Sequence, residues 1–260
     1  MRQESYTKSR QDAPPGFFAT EAAGLRWLAA AEGAPVVGVQ RVAESALVLD
    51  RLRPVRPQPA AARAFGRDLA RTHAAGAESF GALPPGAEQY WFGPLSDPIP
   101  LPDATADRFG EFYAEGRLWP LTERCRQAGA IDDDLAADLA RVRADLRAGR
   151  WDQHGSRPVR PARLHGDLWA GNVVWTSAGV TLIDPAACGG HPETDLAMLE
   201  LFGAPHLGEI HAGYAEAGTL APDWRSRIGL HQLFPLLVHA LLFGGGYASA
   251  TRAAVEPLLP

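Results

Sequence analysis

Lysine, cysteine and long apolar runs are scarce in this 260-residue sequence. Of its 25 basic residues 24 are arginine, and Lys8 is the single lysine. The two cysteines, Cys125 and Cys188, stand far apart without a C-x-x-C pair, which excludes a disulfide-rich scaffold and indicates a reducing compartment. A lone lysine indicates a position where a compact ammonium serves better than a planar guanidinium. If this composition is considered alone, the simpler explanation is that one lysine survived by chance in a polar N-terminus.

The charge balance and the hydropathy pattern exclude two classes of partner. A net charge of −5 gives no basic surface for nucleic acid or an anionic membrane. Residues 1–12 are polar, unlike a signal peptide. The longest apolar run, Leu233 to Phe243, is broken by Pro235 and His239 and is shorter than the roughly 20 residues of a membrane span. We expect a cytoplasmic globular protein that binds neither nucleic acid nor membranes, and its oligomeric state stays open.

One stretch carries most of the chemical information. The sequence LHGDLWAGN at 164–172 is followed by IDP at 183–185, so Asp167, Asn172 and Asp184 follow one another at intervals of five and twelve residues. A kinase fold uses this order of groups around a nucleotide's phosphates. The first carboxylate faces the acceptor hydroxyl, and the amide and the second carboxylate supply oxygen ligands to magnesium.

The spacing between the last two groups indicates a β-hairpin. Residues 173–176 and 180–183 are rich in β-branched and aromatic side chains, and Ser177-Ala178-Gly179 predicts the turn. Such a hairpin returns Asp184 to the end of the sheet that carries Asn172. The alternative is an ordinary hairpin with polar ends, which is the better explanation for any one acid but not for the whole constellation.

The remaining pattern predicts an α+β fold of two lobes. Residues 1–53 should form a small lobe with a strand ending near Lys8, a helix over Phe17–Ala31, and strands at 36–39 and 46–49. Residues 54–59 contain three prolines and should connect the lobes. Residues 60–260 should form a larger lobe of mostly helical structure. Its helices are predicted at 60–73, 108–126, 135–147, 192–202, 210–217 and 224–243, with a loop over 76–103.

These residues resemble the fructosamine-3-kinase, or ketosamine-3-kinase, family, whose members have the aminoglycoside-phosphotransferase and protein-kinase-like fold. The matching segments are residues 164–172, DPA at 184–186, GH at 190–191, and DLAM and ELFG between 195 and 203. Trp169 distinguishes this family from most relatives with the same fold. Further matches at 66–70, 80–81, 117–118 and 242–247 extend the resemblance over nearly the whole chain.

The resemblance implies that ATP and Mg²⁺ are the cofactors and assigns roles to the central residues. Asp167 is similar to the acid that orients the acceptor hydroxyl, and Asn172 and Asp184 to the magnesium ligands. Lys8 matches the lysine that contacts the α- and β-phosphates. Glu21 matches the helix glutamate that pairs with it, although a solvated helix charge is the alternative.

The resemblance also implies supporting residues. Residues 47–52 match the hinge that holds adenine through backbone groups, which assigns Leu49, Asp50 and Leu52 to the nucleotide site. His165 and Asp195 resemble supports of the catalytic loop. Trp169 and His191 are assigned to the support or the acceptor side of the site, whereas the sequence alone indicates core or interface positions for His73, His231 and His239.

Two departures from the family pattern affect the expected activity. The fold normally has a glycine-rich hairpin over the phosphates, well before the lysine, but only seven residues precede Lys8. We therefore expect this chain to lack the hairpin, either because its start lies too far downstream or because it is a shortened member with weaker ATP binding. Pro192, Pro235, Val238 and Ala240 stand at positions that are usually polar, which changes the expected acceptor pocket.

The implied function is an ATP- and magnesium-dependent kinase that phosphorylates the C3 hydroxyl of ketosamines of the fructosamine or ribulosamine type. Its partner would be a small ketosamine or a glycated amine or protein, and its role the repair of glycation. Two alternatives stay open. One is a phosphotransferase of the same fold that acts on an aminoglycoside or another metabolite, and the other is a catalytically weak, pseudokinase-like binding protein.

Overall fold

A three-stranded antiparallel sheet and one helix form the N-terminal lobe. The computed structural model describes residues 4–154, 157–218 and 220–259, so residues 1–3 of this lobe lie outside the described residues. The elements are β1 Ser5–Ser9, α1 Phe17–Ala29, β2 Val39–Ala43 and β3 Ala46–Asp50, and the strand order is β1-β3-β2. Strand β3 lies in the centre because its alternate residues Leu47 and Leu49 are buried, and α1 covers them with Phe18 and Leu25.

The connection to the larger lobe has the extended form that its prolines predict. Residues 51–58 contain neither helix nor strand, and Pro59 opens helix α2 at a position where its missing N–H costs nothing. Val55 donates its backbone N–H to Trp175 O at 2.8 Å, which ties the connection to the larger lobe. The two-lobed α+β fold is confirmed, and the assigned lobe boundaries stay a prediction.

Helices and short hairpins build the C-terminal lobe. The helices are α2 Pro59–Ala74, α3 Phe109–Phe112, α4 Trp119–Gln127, α5 Asp133–Arg147, α6 Glu193–Phe202, α7 Leu207–Ala217, α8 Ile228–Phe243 and α9 Tyr247–Val255. A π-helical turn, Tyr113–Leu118, joins α3 to α4. The strands are β4 Tyr90–Phe92, β5 Ile99–Leu101, β6 Gln153–His154, β7 Arg157–Pro158, β8 Ala162–Leu164, β9 Val173–Thr176, β10 Gly179–Leu182 and β11 Cys188–Gly190. Short 3-10 turns lie at Ala170–Asn172, Trp224–Arg227 and Glu256–Leu258.

Two glycines let helices α2 and α7 approach closely. A Cβ atom on Gly66 would lie 2.0 Å from Ile210 O, and one on Gly213 would lie 1.9 Å from Arg63 O. Neither distance is possible for real atoms, so each helix requires glycine where it crosses the other. This contact fixes α7 beside α2. It also fixes the side chains that both helices direct toward the loop after β8, which carries Asp167 and is called the catalytic loop below.

Most predicted helices are confirmed, and their ends follow local signals. Asp132 caps α5 because its Oδ1 accepts from Leu135 N at 2.8 Å, the usual role of an aspartate just before a helix. Helix α6 begins after Pro192 and ends at Gly203, whose φ of 72° lies in the left-handed region. Gly244 and Gly245 both have a φ of 61° and follow the end of α8, where glycine commonly ends a helix.

Two predictions about local structure were wrong, and one helix was missed. The strand predicted at 36–39 begins only at Val39, because Val36 pairs instead with Leu182 of the larger lobe. The loop predicted at 76–103 contains the β4–β5 hairpin. Helix α9 was not predicted. The pairing of Val36 with a segment far along the chain is a contact that short-range periodicity does not report.

Helix α8 with its preceding turn is the most apolar segment. Residues 224–243 are long and apolar enough to cross a membrane by length and composition, with a mean hydropathy of 1.2 over the most apolar window. The eleven-residue run from Leu233 to Phe243 therefore underestimated the length of the apolar segment. Of that window, 56% is buried inside the protein. Buried core helices pass the same length and composition test, and the contacts of α8 with α6 and α9 place it among them.

A buried histidine predicts a measurable pH dependence of stability. His211 packs on Trp224 with ring centres 5.0 Å apart, and its Nε2 has no hydrogen-bond partner among the described residues. Burial lowers the pKa of His211 to about 4. The unfolded chain, with a histidine pKa of about 6.5, therefore binds a proton that the folded chain does not. Stability should fall as the pH drops from about 6.5 to 4, by at most about 2 kcal/mol after solvent screening.

Urea unfolding of the wild type and of His211→Leu at pH 7 and pH 5 checks this expectation. Because other buried histidines also titrate, only the difference between the two proteins counts. The variant should lose less stability than the wild type over this interval. An identical loss in both proteins would contradict the assignment.

Candidate active site

The β9–β10 hairpin brings the predicted phosphate-handling residues together. Val173 pairs with Leu182 at the open end of the hairpin, so Asn172 and Asp184 lie side by side at that end, as the spacing predicted. Asp184 has a φ of 54°, a left-handed conformation that is uncommon for an aspartate. Strand β8 ends at Leu164, and Asp167 follows in the loop that leads into the hairpin.

A cavity of about 500 Å³ lies between the two lobes at this point. Its polar wall consists of Lys8, Glu21, Asp167, Asn172 and Asp184. The other lining residues are Phe17, Thr20, the β4–β5 hairpin residues 90–95, Trp169, residues 185–187, Met198, Phe202, Val238, His239, Leu242 and Phe243. One side of the cavity is thus charged, and the other side is mostly apolar and aromatic.

Lys8 lies between two carboxylates. Its Nζ donates to both carboxylate oxygens of Glu21, at 2.9 and 2.8 Å, and lies 3.1 Å from Asp184 Oδ1. Burial alone would lower the pKa of Lys8, but the charges of Glu21 and Asp184 outweigh it and raise this pKa above its usual value. The predicted pairing of Lys8 with Glu21 is therefore present, and the ammonium stays charged within reach of the cavity.

Asp167 and Asn172 form a second hydrogen-bonded pair. Asn172 Nδ2 donates to Asp167 O at 2.8 Å and to Asp167 Oδ2 at 3.1 Å. Burial raises the pKa of Asp167 to about 7, and the nearby Asp184 adds to this while the bond from Asn172 opposes it. A general base is most effective when its pKa lies near the operating pH, and a pKa near neutrality meets this condition.

The donor atoms at the end of the hairpin fit a magnesium ion. The acceptors that face Asn172 Nδ2 are Asp167 O, Asp167 Oδ2 and, at 3.5 Å, Asp184 O, so the amide nitrogen must point toward them and Oδ1 is left for another partner. Asp184 has a side chain that is 40% exposed and lines the cavity. An amide oxygen and a carboxylate are hard donors, which is the ligand type that Mg²⁺ prefers.

A buried carboxylate supports the loop that carries Asp167. Asp195 of α6 accepts from the backbone N–H of His165 at 2.8 Å and of Gly166 at 2.9 Å. His165 is buried, donates from Nε2 to Ile183 O at 2.9 Å, and accepts from Asp167 N at its Nδ1. Both side chains thus hold backbone rather than line the cavity, in the supporting positions that were expected for them.

The structure places the predicted hinge residues outside the cavity wall. Leu49 is buried in the sheet, and Leu52 packs against the same apolar cluster together with Ile183. Asp50 donates its backbone N–H to Gly38 O and accepts from Gln40 with its side chain. Contact of this segment with a nucleotide base stays a prediction.

The structure places His191 away from the cavity wall, so of its two predicted roles only that of a support stays a prediction. It is buried against Phe109 and His231 and does not line the cavity. Within the described part of the chain, His154, His191 and Glu193 come close enough for a metal ion. However, His191 Nδ1 accepts from Glu193 N, so its Nε2 carries the proton and donates to His154 Nε2 at 3.1 Å. This nitrogen is therefore not available as a ligand.

The sequence reasoning missed several residues of the site. Trp91 and Leu95 belong to the hairpin that was predicted as loop, and Arg10 donates to Leu95 O at 2.6 Å, so this hairpin reaches the smaller lobe. His239 and His73 were predicted only as core or interface histidines, whereas His239 lines the cavity and His73 contacts Asp195 behind the catalytic loop. The aromatic content of YWF at 90–92 is the signal that could have indicated a strand.

Exposed aromatic side chains surround the apolar end of the cavity. Trp169 is 40% exposed, Phe202 39% and Phe243 61%, and the ring centres of Trp169 and Phe202 are 6.2 Å apart. His239 lies 5.0 Å from Phe202 and 5.4 Å from Phe243. The indole of Trp169 packs over Gly171, where a Cβ atom would lie 2.3 Å from the ring. This surface can bind an apolar group or a cation.

Comparison with known proteins gives consistent results. The sequence profile of the fructosamine kinase family matches residues 1–260. A protein from Synechocystis described as a probable ketoamine kinase is 32% identical over 99% of this chain and 83% of its own length. Another, from Thermus thermophilus and described in the same way, is 33% identical over 96% of this chain and 85% of its own length.

Solved structures agree with the sequence comparison. A crystal structure from Thermobifida fusca, provisionally assigned as a fructosamine-3-kinase, has a TM-score of 0.88 and 40% identity, and covers 98% of this chain and 85% of that chain. A choline/ethanolamine kinase family protein from Mesorhizobium loti has a TM-score of 0.59 and 17% identity, and covers 98% of this chain and 82% of that chain. The second similarity concerns the fold alone.

Proposed function

This chain belongs to the fructosamine kinase family, a family of phosphotransferase enzymes, and on this premise we propose that it transfers the γ-phosphoryl group of ATP to the C3 hydroxyl of a ketosamine. One observation carries the proposal. The pair Lys8–Glu21 and the trio Asp167, Asn172 and Asp184 line a single cavity. Their chemistry matches the parts of a phosphoryl-transfer site, in which catalysis rests on positioning and charge stabilisation.

In this proposal the polar wall of the cavity binds the nucleotide. The Lys8 ammonium contacts phosphate oxygens, and Glu21 holds it in place from α1. Asn172 and Asp184 would hold Mg²⁺, which when bound neutralises phosphate charge. Asp167 orients the acceptor hydroxyl and accepts its proton, for which its pKa of about 7 is suited. The segment 47–52, with Leu49, Asp50 and Leu52, remains our proposal for the adenine contact.

The aromatic end of the cavity is our proposal for the acceptor site. A ketosamine carries a secondary amine that is protonated near neutral pH, and aromatic faces attract such a cation by about 0.5–2 kcal/mol. Trp169, Phe202 and Phe243 offer these faces beside Asp167. The hydroxylated sugar would then lie toward Asp167 and the amine substituent toward the aromatic rim. Phosphorylation at C3 makes the adduct unstable, so the cellular role would be deglycation of small amines or proteins in the cytoplasm.

The proposal predicts turnover of a ketosamine but not of its 3-deoxy analogue. Fructosyl-lysine and ribulosyl-lysine, each blocked at the α-amine, are incubated with ATP and Mg²⁺, and the position of the new phosphate is read by phosphorus NMR. We expect transfer to at least one of them, at C3, and no ADP release above background with the matched 3-deoxy compound. Transfer only to an aminoglycoside such as gentamicin, or to neither class, would contradict the proposal.

A further inference from the structure

A buried histidine lies behind the catalytic loop, on the side away from the cavity. His73 of α2 is 4% exposed and contacts two partners from α6 and α7. Its Nε2 lies 3.0 Å from Asp195 Oδ2, and its Nδ1 lies 2.8 Å from the hydroxyl oxygen of Tyr214. Tyr214 is 4% exposed, so all three side chains are shielded from solvent. The phosphoryl-transfer chemistry described above makes no use of His73 or Tyr214.

The partners of His73 determine which ring nitrogen carries the proton. Asp195 binds two backbone N–H groups and acts as a carboxylate that only accepts, so His73 Nε2 must donate to it. The Nδ1 atom lies 2.8 Å from the Tyr214 hydroxyl oxygen, so a second hydrogen bond holds the ring from its other side. Burial by itself raises the pKa of Asp195, but its donors, among them His73 and Gly166, reverse this and lower the pKa below its usual value. The carboxylate therefore stays ionised and keeps its donors.

Asp195 binds the backbone of the catalytic loop directly, so a carboxylate held in place by His73 also holds the loop in place. Its two oxygens accept from His165 N and Gly166 N, and Asp167 is the next residue. Gly166 has a φ of 82°, and a Cβ atom there would lie 1.9 Å from Ala186 O, so the loop has one tight conformation at this point. A rotation of the Asp195 carboxylate would move both backbone bonds and shift the carboxyl group of Asp167.

We propose that His73 is a positioning residue that fixes the Asp195 carboxylate, and through it the catalytic loop, while Tyr214 fixes the orientation of the His73 ring. The proposal rests on the proposed role of Asp167. The three side chains are far apart in the sequence, because His73 lies 122 residues from Asp195 and 141 from Tyr214. Helices α2 and α7 can hold these groups in register because their glycines allow close packing.

Three variants and one control separate positioning from stability. His73→Leu removes the donor to Asp195, whereas His73→Gln places an amide N–H near the position of Nε2. Tyr214→Phe removes only the hydroxyl. Thr72→Val is the control, because Thr72 is buried beside His73 on α2 and accepts from Ala34 N at 2.8 Å but does not contact Asp195. It should lower the Tm without disturbing the catalytic loop.

The first measurement does not depend on any substrate. Hydrogen exchange of the His165 and Gly166 amides should become at least about tenfold faster in His73→Leu, because their acceptor is no longer fixed. Exchange at these amides should stay at the wild-type rate in Thr72→Val and close to it in His73→Gln. Unchanged exchange in His73→Leu would overturn the inference, whatever the activity of the protein.

The second measurement uses phosphoryl transfer to the ketosamine that the wild type turns over. We expect kcat to fall about 10–100-fold in His73→Leu, since a misplacement of about 1 Å can cost this much. KM for ATP should stay within about twofold, because Lys8 and Asp184 are not touched. His73→Gln should recover most of kcat, and Tyr214→Phe should lie between the two. A wild type without turnover would count against the proposed function alone. Normal kcat in His73→Leu would count against the positioning role of His73.

Discussion

Replacing Asp167 with asparagine should lower kcat for phosphoryl transfer by about 10²–10⁴-fold, the range expected for loss of a general base. The asparagine keeps the size of the side chain and an oxygen that can accept from Asn172 Nδ2, which donates to Asp167 Oδ2 at 3.1 Å. It cannot accept a proton from the acceptor hydroxyl. Affinity for ATP should change little, because the nucleotide contacts of Lys8 and Asp184 remain.

Steady-state kinetics and titration of ATP binding check this prediction. Asp138→Asn is the matched control, because among the residues that the structure describes this carboxylate pairs only with Arg141, also on α5. The control should behave as wild type in both assays. If Asp167→Asn retained more than about a tenth of wild-type kcat, Asp167 would not be the base.

Replacing Lys8 with arginine should weaken the use of ATP with little change in stability. Lys8 Nζ lies 2.8 Å from Glu21 and 3.1 Å from Asp184, and its side chain is 13% exposed. Arginine keeps the charge and can still pair with Glu21. Its planar fork is larger and cannot take the place of a compact ammonium between two carboxylates. Loss of one charge-assisted contact of about 1.5–3 kcal/mol should lower kcat/KM for ATP about 10–100-fold.

A second substitution separates charge from shape. Lys8→Met leaves Glu21 buried without its cation, so it should lower both ATP use and the free energy of unfolding, the latter by about 3–5 kcal/mol. Arg41→Lys, which changes an exposed basic residue of β2, serves as the control and should alter neither quantity. Unaltered ATP kinetics in Lys8→Arg would show that the role assigned to this lysine is wrong.

Agreement between sequence and structure is best where the signal is short-range. The hairpin spacing places Asn172 beside Asp184, and the acidic run before α5 provides its cap at Asp132. Both depend on hydrogen bonds between residues close in the chain, which sequence patterns describe well. The pairing of Lys8 with Glu21, thirteen residues apart, followed from the family resemblance together with the scarcity of lysine.

Agreement is poorest where an element depends on distant partners. The β4–β5 hairpin is three residues long on each side and packs against α1, with Trp91 6.2 Å from Phe17. Nothing near it in the sequence reports this contact. His191 illustrates the same limit. It follows the cavity-lining residues 185–187 closely in the sequence, but its side chain packs in the core against Phe109.

The sequence by itself determined the family, the two-lobed fold and the acid, amide and lysine that line the cavity, because fixed spacings within short segments carry that information. Only the tertiary structure decided which histidines support the site and which line it. His73 and Asp195 meet across 122 residues, and His239 reaches the cavity from α8. Such contacts depend on how whole helices pack against each other, and no local sequence pattern encodes them. For α2 and α7 this packing is possible because Gly66 and Gly213 allow a close approach.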